Sequence, residues 1–464
     1  MNLDQVLDPE RKPKRIIVIG IDGGRGDYPE RFEAPNLRKL AEAGVGFRNA
    51  IASNGLAETA AGFATIATGL RTSGHGVLTS REWYDRESGE LMYVYDDETG
   101  TLHMEVPTVT QRIKEKKPDL SVASISTKDR LAMLLPGGAA DLVAYSYREH
   151  VFHRHAKGSF TGRGVTEEGY KFTERPAHEL PPYLKNLTVP RRTRWSGPGF
   201  DHPDEDVADT ALIDRFIMDG ARAVLENFDP DIFFVGLVAV NIVGHKYGPE
   251  SPEMAECFRE TDEQIGRLLE MTEDQGKQED TLFIVTADHG MSMKPNVIDI
   301  TGELVERFGE ELVENIAYTF AGSAGGLYLK DNSPSAVQKM MEAVREVPHV
   351  LGVWWKEDPE APWFMKRIAH PRTFDLLIIP ERDWVIVDPG VNEGNVMAHH
   401  GPPFPPDLNV VQIFSGPGIK QMGLLGDPLD MESRKLMTEA EVEGLPEQRD
   451  VARLMLNQFG LSED

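Results

Sequence analysis

The residues able to do chemistry here are aspartates, histidines and one threonine, each placed beside a short apolar run. Asp22 follows Arg15–Ile21 (RIIVIGI), Asn241 and His245 follow Asp231–Val240 (DIFFVGLVAV), and Asp288 and His289 follow Thr281–Thr286 (TLFIVT). His399 and His400 precede another apolar run, Leu408–Phe414. Carboxylates and imidazoles gathered in this way are the ligand set for one or two divalent metals of the zinc or manganese type. Taken singly, each has a plainer reading: an Asp at a strand-to-turn junction is usually a turn residue, and a His beside Gly is usually structural. Their joint occurrence at the ends of four candidate strands, in this order, is what points to a metal centre. Thr59 opens a helical pattern, Thr59–Thr68, where backbone N–H groups and the helix dipole favour an anion. A threonine hydroxyl becomes a competent nucleophile when a metal lowers its pKa, and the plainer reading of Thr59 is a helix N-cap. Gly62, one turn on, would let bare backbone approach that anion.

The elements that must position these groups read as α/β. The runs Arg15–Ile21, Leu120–Ser126, Asp231–Val240, Thr281–Thr286 and Leu408–Phe414 have the apolar, β-branched character of buried strands. Helical patterns at Asn36–Ala43, Thr59–Thr68, Asp206–Asn227 and Pro252–Asp274 alternate with them, which implies a mostly parallel central sheet with helices on both faces. In such sheets ligands bind at the carboxyl ends of the strands, where the residues above lie. Two regions break the rhythm. Residues from about 136 to 204 read as a loop insertion, and 296–388 read as a small inserted α+β cap containing GLYLK, a helix Pro334–Val347, VLGVWW, FDLLII and DWVIV. The catalytic α/β domain is then 1–295 and 389–464.

Composition narrows the partners. The chain has 464 residues and a formal net charge of −27, so its surface repels nucleic-acid backbones and anionic membranes. One cysteine, Cys257, excludes an intramolecular disulfide and a cysteine-based zinc site. No apolar run reaches the roughly 18 residues of a membrane span and the N-terminus has no apolar leader core, which makes a cytoplasmic protein the expectation. A homo-oligomer is compatible with the sequence.

The motifs IDGG, TAAGFATIATGLRTSGHGV, GHKYGP, TADHGM and HHGPP ahead of VVQIFSGPGI follow the order and local wording of the alkaline phosphatase superfamily. The chain resembles its type I phosphodiesterase/nucleotide pyrophosphatase branch and its threonine-nucleophile bacterial phosphatases, over Ile16 to about Lys420. The resemblance implies a metal-dependent hydrolase of phosphoric esters acting through a phospho-threonine on Thr59. One metal would be held by Asp22, Thr59, Asp288 and His289, and the other by Asn241, His245 and His400. Zinc is the expected ion. Asn241 stands where the family has aspartate, and a neutral amide oxygen suits Mn²⁺, Mg²⁺ or Ca²⁺ better. Lys128 and Arg130, in STKDR, resemble a Lys-x-Arg step that would contact the non-bridging oxygens of a monoester dianion; the plainer reading is a solvated turn. Arg81, in REWYD, stands about where the family has a phosphate-contacting asparagine. His150, His153 and His155 suggest metal by composition, but read better as a lid or surface loop. Trp354, Trp355 and Trp363 read as cap core rather than a stacking platform. A phosphodiesterase or pyrophosphatase leads, with a phosphomonoesterase, a phosphotransferase and a non-catalytic phosphate binder as alternatives; a sulfatase would need Cys or Ser at position 59.

Overall fold

In the computed structural model, residues 5–79, 82–96, 101–147, 165–166, 169–171, 179–189, 208–388 and 397–462 are described. In chain order the elements that build the site and its support are β1 (Arg15–Ile21), α1 (Pro35–Ala43), β2 (Val45–Phe47), α2 (Thr59–Thr68), β3 (Val122–Lys128) and α3 (Asp129–Leu134). These are followed by β4 (Leu142–Tyr147), α4 (Ala208–Asn227), β5 (Ile232–Leu237), α5 (Ala239–Tyr247), α6 (Pro252–Asp274) and β6 (Thr281–Thr286). Next come β7 (Ile316–Phe320), β8 (Gly325–Leu329), α7 (Pro334–Arg345), β9 (Val350–Trp355) and β10 (Leu376–Pro380), then β11 (Gln412–Ser415), β12 (Gly423–Leu425) and α8 (Asp450–Gln458).

The central sheet has eight strands in the order β12-β2-β11-β6-β1-β5-β3-β4. The pairings along β6-β1-β5-β3-β4 are all parallel, and β11 alone runs antiparallel to its neighbours. Every residue of β1, β3, β5 and β6 is buried, so both faces of these strands are covered. That is why they read as continuous apolar runs rather than alternating ones. Of the flanking helices, α1, α4 and α5 pack on α6, whereas α2 packs on α3 and α8.

The sheet therefore presents the carboxyl ends of its parallel strands along one edge. Strand β11 joins that edge with its amino end, because Thr286 at the end of β6 pairs with Gln412 at the start of β11. This reversal brings the His399–His400 segment, which lies ahead of β11 in sequence, to the same edge as the loops after β1 and β6.

Two boundaries differ from the sequence expectation in a way that matters. The run Asp231–Val240 is a strand only to Leu237; Ala239–Tyr247 is a helix, so Asn241 and His245 sit one helical turn apart on α5 rather than on a loop. An apolar run does not by itself separate buried strand from buried helix. Similarly, Leu408 closes a helical turn, Pro405–Leu408, and the strand begins at Gln412.

Residues 316–380 carry a separate antiparallel sheet, β7-β8-β10-β9. It packs with α7 around its own apolar cluster, including Leu327, Val337, Met340, Val344 and Ile378. The chain leaves and re-enters this region through two parallel segments, Asn296–Ile298 and Trp384–Ile386, which hydrogen-bond side by side. Trp363 is buried with its indole N–H donating to Met437 O at 2.8 Å, and Trp354 packs edge-on against Phe364. Trp355 lies half-buried against the apolar cluster of this second sheet. All three serve packing. His150, His153, His155 and Arg81 lie outside the described residues.

Candidate active site

Asp22 is the first residue after β1, and Gly23 turns the chain there with φ of +72°. A Cβ on Gly23 would stand 3.2 Å from Asn241 Cα, so only a glycine lets the end of β1 lie this close to α5. The Gly23 N–H donates to Asp288 Oδ1 at 3.0 Å. This ties the loops after β1 and β6 together. Asp22, Asp288 and His289 are fully buried, and their ligand atoms all lie within 4.8 Å of one another.

Thr59 reaches this group from the start of α2. The N-cap of α2 is Glu58, without a side-chain cap, and Thr59 is the first helical residue. Its hydroxyl is therefore not used for capping; Thr59 Oγ1 lies 3.2 Å from His289 Nε2. Gly62 faces Asp288: a Cβ there would come within 2.6 Å of Asp288 O. The glycine in T-A-A-G thus permits α2 to press against the Asp288 loop, which is what brings Thr59 to the carboxylates.

The second group is Asn241, His245 and His400. His245 and His400 rings stand 5.2 Å apart, and His400 stacks on His289 at 3.4 Å between centroids. The three imidazoles share one feature. His245 Nδ1 meets Ala398 O at 2.9 Å, His289 Nδ1 meets Gly290 O at 2.8 Å, and His400 Nδ1 meets Ala57 O at 2.8 Å. A carbonyl oxygen only accepts, so each Nδ1 carries a proton, which leaves Nε2 as the ring nitrogen available to face a metal. Backbone contacts of this kind are what orient histidine ligands on a metal. Asn241 Oδ1 is buried without a hydrogen-bond partner, an arrangement that costs stability unless an electrophile faces the oxygen. These residues fit a pair of divalent cations: carboxylates, a hydroxyl and an imidazole in one half, an amide and two imidazoles in the other.

Lys128 is the last residue of β3 and is completely buried; its Nζ lies 2.5 Å from Asp22 Oδ2. The solvated-turn reading of KDR is thereby corrected for Lys128. Arg130 is also buried, in the first turn of α3. His399 packs 4.9 Å from His245, with its Nδ1 accepting the His400 N–H at 3.0 Å. Neighbouring residues of an extended segment would point apart, yet both rings lie near His245.

The electrostatics follow from burial and crowding. Burial opposes ionisation of Asp22, but Lys128 and His289 outweigh it and hold its carboxyl below the usual range. Burial and the Asp22 charge push Asp288 up to about 7. Burial disfavours the His289 cation, while Asp288 and Asp22 together raise its pKa above the ordinary value. Burial keeps His245 neutral, with a pKa down to about 4, and holds His400 well below its ordinary value. Without a cation, one carboxylate pair thus competes for protons; a divalent ion would replace them.

One supporting residue escaped the motif reading. Asp214, on α4 and fully buried, accepts from Val238 N at 2.8 Å, Ala239 N at 3.2 Å and Thr261 Oγ1 at 3.1 Å. It thereby caps the helix that carries Asn241 and His245. The signal was present: Asp214 falls at helical spacing with buried Ile217, Met218, Ala221 and Leu225, a charge on the apolar face of α4.

The family model of type I phosphodiesterase / nucleotide pyrophosphatase matches residues 16–403. Alkaline phosphatase PhoK of a Sphingomonas species is 25% identical over 91% of this chain and 86% of its own. The structure of wild-type alkaline phosphatase PafA superposes with a TM-score of 0.69 at 17% identity, covering 97% of this chain and 96% of that one. A murine ectonucleotide pyrophosphatase/phosphodiesterase 5, an inactive threonine-to-alanine variant in complex with AMP, superposes at 0.61 and 15% identity, covering 97% and 96%. At such identities the two superpositions show a shared fold. No helix among the described residues is long and apolar enough to cross a membrane. With the family model spanning most of the chain, the protein belongs to the type I phosphodiesterase / nucleotide pyrophosphatase family of the alkaline phosphatase superfamily and is a phosphoric ester hydrolase.

Proposed function

We propose that the protein hydrolyses a small-molecule phosphodiester or pyrophosphate through a phospho-threonine on Thr59. The observation that carries this reading is the placement of Thr59: buried, at the first position of α2, released from capping, and 3.2 Å from His289 Nε2 beside two carboxylates. Thr59 Oγ forms a bond to phosphorus as the bond to the leaving oxygen breaks in line, and that oxygen departs with the electron pair. The threonine proton ends on the leaving oxygen; water then takes the phosphoryl group and its proton restores the threonine hydroxyl, so the sum is phosphodiester plus water to alcohol and phosphomonoester, or pyrophosphate plus water to two phosphates. Two divalent cations, held by Asp22, Thr59, Asp288 and His289 and by Asn241, His245 and His400, would favour the threonine alkoxide and the leaving oxygen. Zinc suits the first set; Zn²⁺, Mn²⁺, Mg²⁺ or Ca²⁺ suits the second. The inactive threonine variant of the murine relative supports a threonine as the attacking group.

A second reading, phosphomonoesterase, is favoured by one observation. Lys128 places a fully buried ammonium at Asp22, and a cation there would stabilise the extra charge of a monoester dianion, with Arg130 as its partner. The division into a catalytic unit of 1–295 and 389–464 and a cap of 296–388 belongs to the same proposal, supported by the separate apolar cluster of the second sheet. So does a cytoplasmic location. The experiment is a paired assay of a chromogenic monoester and its matching diester with Zn²⁺, Mn²⁺, Mg²⁺ and Ca²⁺, with Thr59→Ala as control. Turnover that disappears in the control supports the mechanism, and the faster ester decides the branch. Equal turnover by Thr59→Ala would overturn it.

A further inference from the structure

The two halves of the site carry different charge. Asp22 and Asp288 supply both carboxylates to one half, and Lys128 already balances one of them at 2.5 Å. The half made of Asn241, His245 and His400 offers no carboxylate: an amide and two imidazoles whose Nδ1 atoms meet backbone carbonyls. Among the described residues, only Asp22, Asp288 and His289 gather three acidic, histidine or cysteine ligand atoms within 4.8 Å. The neutral half is nevertheless built to coordinate, because its imidazoles are held by Nδ1 to backbone carbonyls and Asn241 Oδ1 is buried with no partner.

The position of Asn241 explains why an amide is tolerated there. It lies against Gly23, the residue that follows Asp22, and Gly23 in turn donates to Asp288. A carboxylate at 241 would add a third negative charge to a site that already holds two, and neighbouring like charges disfavour ionisation of one another. The amide removes that repulsion. It also removes the charge that would draw a second dication to a site lined by the buried Asn241 and His400, where an uncompensated ion is costly.

We propose that the Asn241 half takes up its cation together with the phosphoryl group of the substrate, whose negative charge substitutes for the missing carboxylate. The protein alone holds one divalent ion tightly, at Asp22, Asp288, His289 and Thr59. The second ion and the phosphate group bind with mutual cooperativity, each raising the affinity of the other by the same factor. The proposal rests on the two-cation reading above and specifies the order in which that site fills.

The test is titration of the whole, metal-stripped chain with Mn²⁺, counting bound ions by the loss of the free-ion electron paramagnetic resonance signal, with and without inorganic phosphate. Without phosphate, one ion binds tightly and a second only weakly; with saturating phosphate, the second binds about tenfold tighter or more. Phosphate affinity, measured by calorimetry at one and at two equivalents of Mn²⁺, changes by the matching factor. Asn241→Asp is expected to bind two ions without phosphate. Two equally tight ions in the unsubstituted chain, or a second ion indifferent to phosphate, would overturn the proposal while leaving the hydrolase reading intact. Failure to bind any divalent ion would overturn both.

Discussion

The carboxylate half of the site and the neutral half are held by different kinds of structure. Asp22, Asp288 and His289 sit on the tight turns that end β1 and β6, adjacent strands in parallel register from Arg15↔Thr281 to Gly20↔Thr286. Their separation is fixed by the sheet itself. Asn241 and His245 sit on α5, and His400 on a segment that crosses from another part of the chain. Their separation depends on how a helix is capped and how that segment docks. The first half is preorganised by backbone pairing, whereas the second is assembled by side chains such as Asp214 and by carbonyls at Ala398 and Ala57.

The largest expected effect falls on the carboxylate half. Thr59→Ala removes the attacking oxygen and should lower kcat by about 10³-fold or more, with metal content near that of the parent. Activity persisting in this variant would place the nucleophile elsewhere. The next test sets the halves against each other. Asp22→Ala should weaken retention of the tight ion more than about 100-fold, while Asn241→Ala should leave that ion in place. Equal losses, read by metal analysis after dialysis against a chelator, would erase the distinction between the halves.

Lys128 sharpens the comparison, because it is the cation that neutralises the carboxylate half. Lys128→Met is expected to lower kcat/KM for a monoester roughly 10- to 100-fold and to change diester turnover much less. A uniform loss on both esters would assign Lys128 to holding Asp22 rather than to substrate charge.

The smallest effect on turnover, and the clearest on stability, belongs to Asp214. Burial pushes its carboxyl up to about 6 from 3.8. Between those values the folded chain keeps a proton that the unfolded chain has lost, so stability falls as pH rises through roughly 4 to 6. Asp214→Asn retains an acceptor for Val238 and Ala239 and a donor for Thr261. It should abolish this slope, gaining on the order of 3 kcal/mol relative to the parent above pH 6 at most. Denaturant midpoints at pH 4 and pH 7 measure it; parallel pH profiles would show that Asp214 carries no such cost.

Sequence alone determined a great deal. Strands β1 and β6 were legible because buried parallel strands are uninterrupted apolar runs closed by Asp-Gly or Asp-His. The helices Thr59–Thr68 and Pro252–Asp274 have the bounds their patterns gave. The site residues could be collected because α/β sheets place ligands at strand ends, a rule that needs only local signals. Other features were decided by tertiary structure. The switch from strand to helix after Leu237 lay inside one apolar run that satisfied either state. That Thr59 is not a cap, that Lys128 turns inward to Asp22, and that Gly62 serves contact with Asp288 depend on neighbours 230, 106 and 226 positions away. The reversal of β11, which carries His400 to the carboxyl edge, depends on strand order in the sheet. Local spacing specifies elements and the chemistry at their ends; which ends meet is set by sheet order and register, and these are fixed only when distant surfaces pack.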